Sequence, residues 1–554
     1  MKKFFLLIIL IFSLNFAASA SSDTARSRIF YENSGLLIIT HPQENNRTTI
    51  SSHMSFLGAS DPAFPLYING AEVAVTANGF FTYYAGLELG DNEFVFINGE
   101  SSQSIVVTRQ TAGTWTPPET IYFTVEIYGS TEYDNISRFA NLDDDLNALT
   151  PLVRGTTFRI LAEHDDMYII EDGTAVFKDS VYQLDYLIPP ITVSGGEVAA
   201  SANDVSITFN VTDYPLYEIE LNDNKALLTL FAANDLTDLQ PDEIYITDIS
   251  SAEHETAIAR EFEFTRPPVG YTVDFSGGTM TVKFRFAPTS LSEAFVLLDA
   301  GHGGPDPGAL GPPGEFGPME KDFNLYVAEV TRDELRRLGI EVILIRDTDE
   351  FVQIRERTEY FSLEPDISVC IHANSMPLSA DFSRESGPLM FFTLDISEQA
   401  ADEMITLIAS EISAYDESGD TSSLSRRQNF AMSRYTGGPS MLFEMGFLCN
   451  PEDYEAMLDT DYLDRTGAAL AKAIVMQLTE GDELSTIDDE PEPAETEPAE
   501  IIYEPDGEDA QPVFGSAAYS DDVDSALALY IILISSVFFC GSALYLPSLI
   551  KRRK

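Results

Sequence analysis

Cysteine is almost missing from this chain, which holds only Cys370, Cys449 and Cys540 in 554 residues. The third falls in an apolar C-terminal run, so two remain for the body and no disulfide framework can hold it together. Both read as small core residues. Basic side chains are also few, 32 Lys and Arg against 90 Asp and Glu, for a net charge of −58. A partner held through phosphate contacts needs clustered cations, so nucleic acid is set aside. Histidine is scarce as well, with six residues. His41, His53, His164 and His254 share no spacing and read as surface or core residues, whereas His302 and His372 fall in matching places.

What is present at the two ends is apolar. The first twenty residues, MKKFFLLIILIFSLNFAASA, join two lysines to an apolar run and close on Ala18, Ser19 and Ala20, the pattern of a secretory signal peptide over 1–20. Residues 526–550 carry no charge and suffice for one transmembrane helix, followed by the basic tail KRRK at 551–554, expected on the cytoplasmic side. Between body and span, 481–525 is rich in Asp, Glu and Pro without Lys or Arg, so it reads as a disordered, extended acidic stalk. The chain is therefore expected to be exported and anchored in the cell membrane through a single C-terminal helix, with its body on the extracytoplasmic side.

The fold class expected for the body is multidomain, with all-β modules followed by an α/β domain. From about 30 to 290, short apolar and aromatic runs alternate with Gly, Asn, Asp and Pro about every ten residues, which indicates β structure. The stretch FLGASDPAFPLYINGAEVAVTANGFFTYYAGLELGDNEFVFINGE has turns at Asn69-Gly70 and Asn78-Gly79. It resembles bacterial immunoglobulin-like modules, and the module is placed at 30–110. LTPLVRGTTFRILAEHDDMYIIEDGTAVFKDSVYQL, with its Arg-Gly turn and Asp-Gly hairpin, resembles bacterial Src-homology-3-like modules, placed at 120–187. Residues 191–288 read as a β-sandwich of no assigned family. Wall-polymer binding and simple spacing both stay open for the three.

From 294 to 480 the strands FVLLDAG, IEVILIRD, ISVCIHAN, GPLMFFT and SMLFEMG alternate with helical stretches. One such stretch, 322–338, sets Phe323, Val327, Val330, Leu335 and Leu338 on one face. Nearly continuous apolar strands predict a mostly parallel sheet covered on both faces, with active residues at strand ends. His302 in LLDAGHGG and His372 in ISVCIHAN each follow such a strand. A lone strand-end histidine is ordinarily structural; two in the same kind of place favour a shared site.

A catalytic zinc takes three protein ligands, commonly two His and a carboxylate, with a fourth position left for water. Glu320, in GPMEKDFNL, closes a Gly- and Pro-rich loop and opens a helix; it can be a ligand or a residue that complements the helix dipole. Glu444, at the end of an apolar strand, needs a partner or a proton if buried. It reads equally as a general base or a structural ion-pair partner. Arg355 and Arg357 can meet anionic wall groups or line a solvated helix face.

Five ordered blocks, LLDAGHGGPDPGALG, MEKDFNL, ILIRDTDEFVQIRERTEY, DISVCIHAN and MLFEMGFLCNPEDYEAM, resemble the zinc-dependent N-acetylmuramoyl-L-alanine amidases of the type-3 family. The resemblance implies His302, Glu320 and His372 as Zn²⁺ ligands and Glu444 as the catalytic carboxylate. It implies peptidoglycan as partner and cleavage between N-acetylmuramic acid and the L-alanine of its stem peptide. A silent wall-binding relative, or a zinc hydrolase acting on another wall amide, stays open at this point. The blocks are silent on a protein activator. The loop GPPGEFGPMEKD departs from the family in its extra prolines. Thr393 to Arg427 has room for about one helix and a polar loop, so no inhibitory helical insert is expected there.

Overall fold

The computed structural model describes residues 29–479 except 30, 32, 34, 114–117, 143, 232–238, 243, 253–256 and 413–423. The expected signal segment, acidic stalk, membrane span and basic tail all lie outside the described residues.

The first β body packs a three-stranded sheet (Ile38–His41, His53–Ala59, Phe80–Gly86) on a five-stranded one that includes Leu66–Ile68, Gly90–Asn98 and Ser101–Arg109. Alternating residues turn Phe56, Leu66, Ile68, Phe81, Phe94 and Phe96 into its core. At the Asn69-Gly70 hinge both residues have positive φ, 51° and 82°, which suits a two-residue hairpin between Leu66–Ile68 and Ala71–Val73. Farther along, a seven-stranded antiparallel sheet and two four-stranded antiparallel sheets share one hydrophobic core, in which Phe158, Ile160 and Ile170 join Phe209, Tyr217 and Phe284.

The α/β domain begins with β1 (Phe295–Ala300) and continues through α1 (Glu320–Arg337), β2 (Glu341–Leu344), α2 (Ile354–Glu359) and β3 (Ile367–Asn374). Then come β4 (Leu389–Phe392), α3 (Glu398–Ile412), β5 (Ser425–Arg427), β6 (Ser440–Phe447), α4 (Pro451–Met457) and α5 (Thr460–Leu478). The sheet order is β2-β1-β3-β6-β4-β5. All eight residues of β6 are buried, as a central strand covered on both faces requires. Helix α5 packs against both α1 and α3, and Gly467 lets α1 approach, since a Cβ there would lie 2.6 Å from Val330.

One part of the expected fold class needs correction. The sheet is mixed: β4 runs antiparallel to β6, while the other pairings are parallel. The reason is the link from β3 to β4, residues 375–388, which contains no helix. A parallel neighbour needs a crossover, usually helical, whereas a plain loop returns the chain in the opposite direction. Among the described residues no helix is long and apolar enough to cross a membrane; the span expected at 526–550 lies outside them. The two longest, α1 and α5, are amphipathic and carry charges throughout, Asp461, Asp464, Arg465 and Lys472 in α5 alone. The described chain is thus mostly β, with one α/β domain built on a mixed sheet.

Candidate active site

β1 is followed directly by Gly301 and His302, and the glycines there answer to two physical demands. One is space: a Cβ on Gly301 would fall 2.2 Å from the His372 ring. The other is backbone conformation, for His302, Gly303 and Gly304 have φ of 61°, 132° and 56° in succession. A non-glycine residue at positive φ is costly and needs support from its surroundings. Two buried arginines give it. Arg346 donates to the carbonyls of Ala300 (2.7 Å) and Gly301 (2.9 Å), and Arg357 to those of Ala300 (2.8 Å) and His302 (2.7 Å). Asp299 pairs with Arg357 and also accepts from the Cys370 thiol at 3.0 Å. Lys321 ties down the Gly304 carbonyl at 2.8 Å.

The His302 ring is oriented by Asp306, whose Oδ2 lies 2.8 Å from Nδ1. With that nitrogen engaged, Nε2 turns inward, buried and without a hydrogen bond. It lies 3.1 Å from Glu320 Oε1, close but not aligned for hydrogen bonding. The same oxygen is 2.7 Å from His372 Nδ1. Glu320 is the first residue of α1, and the Ala309 amide donates to its Oε2 at 2.7 Å. Gly308 leaves room for this, since its Cβ would sit 2.4 Å from that oxygen.

The charges are mutually dependent. Burial opposes a charged His302, but the Glu320 charge and the Asp306 carboxylate outweigh it and lift the imidazole to about 10. Burial likewise works against ionised Glu320, yet the two imidazoles hold it well below the usual carboxylate range. The cluster thus favours positive charge at its centre, whether proton or metal ion. One candidate donor atom from each of His302, Glu320 and His372 lies within 4.8 Å of the others. Two imidazoles, one carboxylate and an orphaned buried nitrogen suit the ligand set of a catalytic zinc.

Glu444 on β6 is the register neighbour of His372 on β3. Its Oε2 is buried without a hydrogen-bond partner. Burial, and then the nearby Glu320 charge, push its carboxyl well above the ordinary range, against the opposing influence of His302. The four residues singled out in the sequence therefore converge on the ends of β1 and β3, the start of α1 and the middle of β6.

Residues 296–476 match the N-acetylmuramoyl-L-alanine amidase family model. Uncharacterized protein YqiI of Bacillus subtilis is 31% identical over 180 residues, 32% of this chain and 82% of that protein. The chain belongs to this amidase family. The germination-specific N-acetylmuramoyl-L-alanine amidase of Bacillus subtilis is 27% identical over 205 residues, 34% of this chain and 82% of that one. Among solved structures, the catalytic domain of CwlV from Bacillus (Paenibacillus) polymyxa var. colistinus has 29% identity, 33% coverage of this chain, 98% of that chain and a TM-score of 0.30.

Of the other residues singled out in the sequence, Arg357 falls differently from expectation. Arg357 is neither on a solvated face nor open to wall anions; it is 4% exposed and spent on the His302 turn. Arg355 is exposed, with its guanidinium 3.5 Å from the centre of the Tyr133 ring. His41 is half-buried beside Phe382, His53 stacks on Tyr84, His164 meets Thr120, and His254 lies outside the described residues. Asp306 and Arg346 escaped the sequence reading. An acid four residues beyond His302 in the same loop was the available signal for the first.

Proposed function

We propose that the amidase domain acts through Zn²⁺ held by His302, Glu320 and His372, with Glu444 as the group that moves protons. The chain is a peptidoglycan amidase of the N-acetylmuramoyl-L-alanine class, and the bond it cleaves joins the lactyl group of N-acetylmuramic acid to the L-alanine of the stem peptide. The observation that carries the zinc reading is the buried cluster in which one Glu320 oxygen faces two imidazoles and His302 Nε2 is left without a hydrogen bond. Zinc at this point would polarise the scissile carbonyl and make water a nucleophile near neutral pH.

Glu444 takes the proton from the attacking water and passes it to the departing alanine nitrogen, so it acts first as base and then as acid. Asp306 keeps His302 in the tautomer that presents Nε2 to the cluster.

Placement outside the cytoplasm belongs to the same reading, since the polymer to be cut lies there. So does the immunoglobulin-like and Src-homology-3-like character of the N-terminal sheets, supported by two-sheet packing in the first body and the Asp172-Gly173 turn with Gly173 at φ 86°. The test is digestion of purified peptidoglycan by the full chain, with zinc and with a chelator, products being read by mass spectrometry. Stem peptides with a free N-terminal alanine, lost with the chelator and restored by zinc, are expected. Cleavage that persists after complete zinc removal would overturn the proposed role of the metal.

A further inference from the structure

Both backbone segments that carry the cluster are gripped by the first β body. The segment between His302 and Glu320 contains Pro312, Pro313 and Pro318. Proline offers no N–H, so such a loop is anchored through its carbonyls. Two of those are taken. Thr40 Oγ1, from the β body, donates to the Pro312 carbonyl at 2.6 Å, and Tyr454 of α4 donates to that of Pro318 at 2.9 Å. Gly311 and Gly317 press against the Tyr454 side chain, where added Cβ atoms would fall 2.1 and 2.8 Å from it. The other side of Tyr454 meets Phe80 of the β body, ring centres 5.2 Å apart and nearly perpendicular. The loop therefore lies between the β body and α4 just before it delivers Glu320.

The segment after His372 is held in the same way. Ser55, fully buried, donates from its amide to the Leu378 carbonyl (2.7 Å) and from Oγ to the Ala380 carbonyl (2.6 Å). The Leu378 side chain packs against the cores of both the β body and the amidase domain. Leu57, Ala59 and Phe80 belong to the amidase domain's own apolar core.

We infer that Thr40 and Ser55 are positioning residues for the zinc cluster, acting through the 307–319 and 375–382 segments; this rests on the ligand reading of His302, Glu320 and His372. The β body is then part of the metal site's support. A spacer would make no difference to zinc.

The test uses the full chain with zinc alone as probe. Competition with a chromophoric chelator gives the zinc dissociation constant for wild type, Thr40→Val, Ser55→Ala, the double variant and Thr40→Ser. The expected result is weakening by about tenfold in the double variant, as is typical when outer supports of a metal site are removed, with Thr40→Ser close to wild type. A lower unfolding temperature of the zinc-free double variant with an unchanged dissociation constant means a purely structural contact and overturns the inference. Should the double variant not fold, Thr40→Val alone carries the comparison. His302→Ala separates the two levels of the argument: zinc bound by it as tightly as by wild type sinks the ligand reading itself.

Discussion

Glu320 Oε1 faces two imidazoles at 2.7 and 3.1 Å, so the charge of the whole cluster turns on one carboxylate and on the acid that orients His302. Replacing Asp306 by Ala should weaken zinc binding about 10- to 100-fold, measured by chelator competition, because the Nε2 tautomer loses its outer partner. Glu444→Gln keeps shape but cannot carry a proton. It should lower peptide release by about 10² to 10⁴ while zinc content by atomic absorption stays at the wild-type level; loss of zinc together with activity would make Glu444 a structural residue instead. The strand-end histidines were readable in sequence because a hydrophobic run ending in a polar residue is a local signal. Arg346 and Arg357 were not, since their partners are carbonyls at 300–302, brought to them only by the folded sheet.

At the level of elements, glycine positions and strand direction decide the outcome. Gly301→Ala puts a methyl group into the His372 ring, so zinc affinity should fall sharply while thermal unfolding stays cooperative. Helix α4 offers a pH handle. Asp453 accepts from the Gly387 amide at 2.7 Å and the Phe447 amide at 2.8 Å, and burial lifts its carboxyl to about 6. Between about 3.9 and that value the folded chain keeps a proton the unfolded chain has lost. Stability from this group is full below that window and is lost as pH rises through it, by at most about 3 kcal/mol. Urea unfolding at pH 4 and 7 should show this slope, and Asp453→Asn should flatten it. The α/β pattern and the apolar strands were evident from sequence, but the direction of β4 was not. Periodicity is the same read either way along a strand, and the available signal was the missing helix in 375–388.

At the scale of the molecule, the two β bodies meet the amidase domain at different places. Near the beginnings of β3 and β6, Arg285 donates to the carbonyls of Pro365 and Gly437 and pairs with Asp366 at 2.8 Å, and Lys283 pairs with Glu364. Removing one partner of such a mostly buried pair costs on the order of 3 kcal/mol. Arg285→Ala should therefore split calorimetric unfolding into two transitions; one unchanged transition would mean the contact contributes little. Sequence divided the β region by turn spacing, which cannot show that sheets from 121–184 and 193–285 share a core. The union of the first β body with the amidase core also has a consequence in time. Thr40 and Pro312 are 272 residues apart, and Phe80 waits still longer for Tyr454. At roughly 5–20 residues per second of synthesis, the apolar side of the newborn first body stays uncovered for about 15–75 seconds, a span in which a holding chaperone has work to do.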